Sequence, residues 1–191
     1  MFSTITLYIR REICKKGYCH IYYGDGKGKT SILNGMTIRA LGYQWNVKYL
    51  RFLKNRISGE MLFFQNLANP NLEIINYYSS STKFFWEMND QEKAILQKEM
   101  QIGFNELKKL SQDPTVDLII VDELLLCIYN ELISEAELIE VIQKKSSNIE
   151  MAFSGHHITD NLINAVDLVS HVQTTKHYFY QKVPARKGIE Y

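Results

Sequence analysis

Cysteine is scarce: the 191 residues contain three, Cys14, Cys19 and Cys127. Their odd number and lack of zinc-type spacing exclude a disulfide framework or a structural metal as the organising device. Prolines number three and glycines ten, too few for a collagen-like or low-complexity chain. Charge of one sign is not in excess, since 22 Lys and Arg oppose 21 Asp and Glu for a formal net charge of +1. That balance supplies no broad field for nucleic acid or an anionic membrane, so neither is expected as a partner and any bound anion must be gripped locally. Long apolar runs are also missing. The most apolar stretch, Leu118 to Ile128, is broken by Asp122 and Glu123 and is too short to cross a bilayer. The N-terminus has no apolar core leading to a small-residue cleavage site, so no secretory leader is expected. The expectation is a cytoplasmic protein.

What remains is an ordinary globular composition, 46% hydrophobic and 23% charged. A chain this long buries roughly 70% of its unfolded surface, enough to need no staple. Residues 1–17 read as an appended arm, with Ile5, Leu7 and Ile9 followed by Arg10, Arg11, Lys15 and Lys16. Residues 18–191 read as one domain. Strands are expected at Tyr18 to Tyr23, Val47 to Phe52, Leu72 to Tyr78, Leu118 to Val121, Ile149 to Phe153 and around Leu168 to Val172. Helices are expected at Lys29 to Leu41, with Gly42 as C-cap, and from an Asp90 N-cap to about Leu110, with apolar Ile95, Ile102, Phe104 and Leu107. Two more are expected at Ser134 to Lys144 and near Thr159 to Asn164. Strands alternating with helices predict an α/β fold of P-loop NTPase-like, three-layer form, with a mostly parallel central sheet.

The strongest chemical feature is Gly24-Asp25-Gly26-Lys27-Gly28-Lys29-Thr30-Ser31, between an expected strand and an expected helix. Glycines let successive backbone N–H groups turn inward on phosphate oxygens, and the helix start adds the positive end of its dipole. Lys29 is placed to bind terminal phosphates and Thr30 to put its hydroxyl on magnesium. The first glycine comes one residue late for the usual spacing, because Tyr23 stands where it would fall. Asp122 and Glu123 close the apolar run Leu118-Ile119-Ile120-Val121, where carboxylates at a parallel strand's C-terminal end face the ligand crevice. They could hold magnesium directly or through water. These residues point to a nucleoside triphosphate and magnesium without naming a reaction.

The loop, with its shortened spacing, resembles that of the P-loop ATP:cob(I)alamin (corrinoid) adenosyltransferases. The resemblance continues through Arg39-Ala40-Leu41-Gly42, Arg51-Phe52-Leu53-Lys54 with Gly59-Glu60, Val121-Asp122-Glu123-Leu124, Ser154-Gly155, Ala165 to Ser170 and the stretch from Lys176-His177 to Gly188-Ile189-Glu190-Tyr191. It implies adenosyl transfer from MgATP to the Co(I) of a reduced corrinoid, with release of whole triphosphate. It implies ATP contacts from residues Gly24, Asp25, Gly26, Lys27, Gly28, Lys29, Thr30, Ser31 and Arg39. Catalytic roles fall to Lys29, Thr30 and Glu123, and magnesium to Thr30, Asp122 and Glu123. Lys83-Phe84-Phe85-Trp86 stands where the family has Gly-Phe-x-Trp, so Phe84 and Trp86 are implied to press on the corrin ring and displace its axial ligand, easing reduction of Co(II). A homodimer and an electron-donating flavoprotein are further implications. The chain departs from the family at His156, where an arginine is usual, at Lys83, and at Arg186-Lys187. A nucleotide kinase or NTPase shares the loop but yields ADP, and a non-catalytic nucleotide-binding homologue would leave corrinoid unchanged.

Overall fold

Among the described residues six strands form a single sheet in the order β3-β2-β4-β5-β1-β6, and every neighbouring pair is parallel. The computed structural model describes residues 16–191, so the expected arm lies outside the described residues up to position 15. The strands are β1 (Cys19–Tyr23), β2 (Val47–Arg51), β3 (Leu72–Asn76), β4 (Leu118–Asp122), β5 (Glu150–Gly155) and β6 (Leu168–His171). Between them run α1 (Lys29–Gly42), α2 (Gly59–Leu67), α3 (Asp90–Leu110), α4 (Leu124–Tyr129), α5 (Glu135–Lys144) and α6 (Asp160–Ala165). The expected "mostly parallel" α/β sheet is thus wholly parallel, as helical crossovers between consecutive strands require.

Period-two alternation assigns each strand residue to a face. Leu50, Ile119, Val121, Met151 and Phe153 point to the side covered by Leu96, Met100, Phe104 and Leu107 of α3, with Leu124, Leu138 and Leu162 from α4, α5 and α6. Val47, Tyr49, Leu118, Ile120 and Ala152 point the other way, onto Leu33 and Leu41 of α1 and Met61 and Phe64 of α2. Both faces are dry, which is why β4 reads as a continuous apolar run. The result is a three-layer sandwich.

Several local expectations are corrected. Gly42 ends α1 as a helical residue, and the left-handed turn falls instead on Gln44, at φ 61°. Asn89, not Asp90, caps α3: its side chain accepts from the Glu92 N–H while Glu92 reaches back to the Asn89 N–H. On α3 the buried stripe is Leu96, Met100, Phe104 and Leu107, whereas Ile95 and Ile102 face solvent. α2 and α4 were not anticipated. α4 begins directly after Glu123, inside what reads in the sequence as a strand's apolar tail.

Candidate functional site

The sheet order sets β5 between β1 and β4, so the turns after these three strands converge at one edge of the sheet. After β1 the chain enters the glycine loop, whose shape is dictated by what lies behind it. Gly24 has φ 115°, and a Cβ there would come within 2.5 Å of the Val172 carbonyl oxygen. A Cβ on Gly26 would come within 2.6 Å of the same atom. Only glycine fits either position. The Gly24 N–H donates to the Gly155 carbonyl at 3.2 Å and the Gly26 N–H to the Val172 carbonyl at 2.8 Å. The loop is therefore anchored on the ends of β5 and β6. Gly28 caps α1 with no side-chain hydrogen bond, and no acidic residue occupies the helix's first turn. The amides that open this 14-residue helix therefore have no side-chain cap, an arrangement that favours negative charge beside them.

Lys29 is buried, and its ammonium donates to the carbonyls of Gly24 at 2.5 Å and Gly26 at 3.0 Å. Burial holds its pKa below the usual lysine range, against the pull of Glu123, Asp25 and Asp122. The loop is wrapped around its own lysine. Asp122, fully buried at the end of β4, accepts from Ser154 Oγ at 2.6 Å and lies 3.3 Å from Thr30 Oγ1. The ammonium of Lys54 sits 2.5 Å from Asp122 Oδ2 and 2.7 Å from Thr30 Oγ1. Glu123 follows in a left-handed conformation at φ 67°, a strained state for a residue with a Cβ. Its backbone N–H is held by Ser154 Oγ at 3.0 Å, while its Oε2 is buried without a hydrogen-bond partner. Burial, then the neighbouring Asp122, pushes its pKa up.

The far end of the chain closes the loop from outside. Lys27 Nζ lies 2.6 Å from Glu190 Oε1 and 2.9 Å from the Tyr178 hydroxyl. The Tyr178 hydroxyl also donates to Glu190, and Arg186 reaches Glu190 Oε2 through its backbone N–H at 2.8 Å and its Nε at 3.2 Å. Arg186, Lys27 and Tyr178 together hold the Glu190 carboxyl well below the ordinary carboxylate range.

These elements enclose a cleft of about 880 Å³. Asp25, Gly26, Lys27, Gly28, Lys29, Thr30, Ser31 and Glu123 line it, as does Phe84. Asp122 stands behind Thr30 and Lys54. Phe84 and Trp86 stack at 4.7 Å with 5° between their planes, and they are 51% and 74% exposed. They are therefore not core residues; Phe85 between them packs on the core instead. Arg39 is not brought to the cleft. It is exposed in the last turn of α1, about 14 Å along the helix axis from Thr30.

The departures noted in the sequence have partners of their own. His156 Nδ1 lies 3.4 Å from Asp25 Oδ1, Lys83 pairs with Glu92 at 2.5 Å, and Arg186 serves Glu190. His157 turns away and stacks on Tyr129 at 4.1 Å, so the adjacent histidines form no metal site. Among the described residues no group of three or more His, Cys, Asp or Glu could hold a metal alone. A cation here would need oxygens from a ligand as well. Sequence reasoning missed the Lys54 contact and the Lys27–Glu190–Tyr178 cluster, although the segments that supply them carry the family resemblance. It also missed Arg51 and Arg56, which line the same cleft.

A family model described as ATP:corrinoid adenosyltransferase BtuR/CobO/CobP matches residues 15–191. The chain is 29% identical over 178 residues to a corrinoid adenosyltransferase of Pseudomonas aeruginosa, covering 93% of this chain and 85% of that one. It is 27% identical over 180 residues to the corrinoid adenosyltransferase CobA of Salmonella typhimurium, covering 93% and 87%. Among solved structures it is similar, at TM-score 0.44 and 15% identity, to domain III of the Thermotoga maritima replication initiation protein DnaA, over 85% of this chain and 57% of that one.

Proposed function

This chain belongs to the ATP:corrinoid adenosyltransferase family, and on that premise we propose how its cleft works. The 5′ carbon of ATP is attacked by the Co(I) of a reduced corrinoid. A cobalt–carbon bond forms from the cobalt's electron pair, the C5′–O5′ bond breaks, and its electrons leave with intact triphosphate. The nucleophile is supplied by the substrate, so no protein base need activate one. Catalysis then rests on positioning and on charge stabilisation of the leaving group.

The observation that carries this reading is the convergence of Lys29, the uncapped start of α1, Thr30 and Glu123 on one cleft that also reaches Phe84. Lys29 exchanges its loop carbonyls for triphosphate oxygens, bringing a charge already stripped of water. The open amides of α1 and the glycine loop take the remaining oxygens. Thr30, Asp122 and Glu123 offer hard oxygen donors suited to magnesium. The unpartnered buried Oε2 of Glu123 and the ammonium already held against Thr30 and Asp122 both favour a cation there. Magnesium held by these three residues would supply positive charge to the departing triphosphate. Phe84 and Trp86, stacked and largely exposed, offer a rigid apolar edge to the flat corrin ring and act by displacing its axial ligand. A homodimer, a cytoplasmic setting and an electron-donating flavoprotein complete the proposal; they are supported by the family likeness. No helix among the described residues is long and apolar enough to cross a membrane.

The test is to mix the protein with MgATP and chemically reduced cobalamin, following the cobalt–carbon chromophore by absorbance and the phosphorus products by NMR. Stoichiometric chromophore and intact triphosphate are expected, with both lost in Lys29→Ala. Release of ADP during productive turnover would overturn the reading in favour of a kinase or NTPase.

A further inference from the structure

Lys54 is the only cation within ion-pair distance of the Asp122 carboxylate among the described residues. It arrives from the turn after β2, where Leu53 is held in the left-handed region at φ 51°, a strained state for a residue with a Cβ. Its ammonium touches both Asp122 Oδ2 and Thr30 Oγ1, at 2.5 and 2.7 Å. Those are two of the three groups assigned above to magnesium. The lysine side chain is 22% exposed, whereas that of Asp122 is 1% exposed. A carboxylate so deeply buried is stable only with a compensating charge beside it. Glu123 Oε2, the third donor, is left without a partner by this arrangement.

We propose that Lys54 is a place-holder: its ammonium occupies the divalent-cation position between Thr30 and Asp122, so that the metal enters only together with the polyphosphate. The proposal rests on the assignment of Thr30, Asp122 and Glu123 as metal ligands and adds the order of binding. Alone, a divalent ion must expel a well-placed ammonium and leave it unpaired in the cleft. Arriving with a triphosphate, the ion takes the carboxylate while the displaced ammonium, which lines the same cleft, takes a phosphate oxygen. Charge pairing is conserved in the exchange, and no buried charge is stranded at any stage. Lys54 is on this account a positioning residue that suppresses futile metal occupancy of the empty enzyme.

Manganese binding, read by the loss of the free-ion electron paramagnetic resonance signal, tests this without turnover. With no nucleotide, wild type should bind Mn²⁺ weakly and Lys54→Gln at least ten-fold more tightly. Adding Asp122→Asn to Lys54→Gln should abolish the gain. Lys54→Met, which keeps the aliphatic stem, serves if the glutamine variant does not fold. Equal Mn²⁺ affinity in wild type and the Lys54 variants would overturn the place-holder. A separate arm adds inorganic tripolyphosphate, itself a manganese chelator, and reads instead the excess Mn²⁺ held on the protein side of an equilibrium dialysis: wild type should then bind Mn²⁺, and Asp122→Asn should not. Retention of that binding in Asp122→Asn would overturn the ligand assignment itself.

Discussion

Alanine substitution of the consecutive aromatics Phe84, Phe85 and Trp86 should split stability from chemistry. Trp86 is 74% exposed, so only a quarter of its surface is at stake in folding. A tryptophan buries up to about 250 Å², and a quarter of that at ~25 cal/mol per Å² is about 1.5 kcal/mol, an upper bound. Much of it is the stack on Phe84. For a chain of this size each kcal/mol moves Tm by roughly 2–4 °C, so Trp86→Ala should lower Tm by no more than about 6 °C. Phe85 is partly buried against the main core, and truncating it costs up to about 3 kcal/mol, the low end for a core phenylalanine, or at most roughly 6–12 °C. Turnover should show the reverse order. Starting from Co(II) corrinoid with a reductant, Trp86→Ala should lose at least ten-fold, while starting from pre-reduced Co(I) it should stay within a few-fold of wild type. Scanning calorimetry and the two cobalamin assays on the same preparations decide the matter. A Tm loss in Trp86→Ala equal to that in Phe85→Ala, or an equal loss in both assays, would refute the division of labour.

Glu190 has its carboxyl held below the ordinary range by Arg186, Lys27 and Tyr178. A depressed acid contributes stability above its unfolded pKa, about 4.5, and loses it as pH falls toward the folded value. Wild type should therefore be more stable than Glu190→Gln at neutral pH, with the gap closing on acidification below 4.5; urea midpoints across pH would show a constant gap if the cluster contributed nothing. Burial pushes the Cys19 thiol up to about 12 and Cys127 well above its usual value. In a Cys14→Ser background, Ellman's reagent at pH 8 should find no rapidly reacting thiol until denaturant is added, and immediate colour would contradict the buried placement.

The sheet was legible because both of its faces are covered: runs such as Leu118 to Val121 leave little else to propose. The glycine loop was legible because its residues answer local demands, a close backbone approach at Gly24 and Gly26 and an open helix start at Lys29. Legibility failed where position depends on distant partners. Ile95 and Ile102 look as apolar as Leu96 and Met100, and only the rotational phase of α3 against the sheet decides which are buried. The Glu190 contact with Lys27 joins residues more than 160 positions apart, and no spacing rule spans that distance. Phe84 and Trp86 are separated from core aromatics by their exposure, which hydrophobicity alone cannot report.

The anchoring of the glycine loop has a consequence for how the chain is made. Gly24 and Gly26 are supplied near the beginning, yet the carbonyls that hold them belong to Gly155 and Val172. At roughly 5–20 residues per second, the ribosome leaves the loop without those supports for something like seven to thirty seconds. Closing such long-range parallel pairings is the slow part of assembly. The nascent enzyme should thus acquire its grip on nucleotide abruptly and late, when β5 and β6 slot in on either side of a strand that has been waiting since the outset.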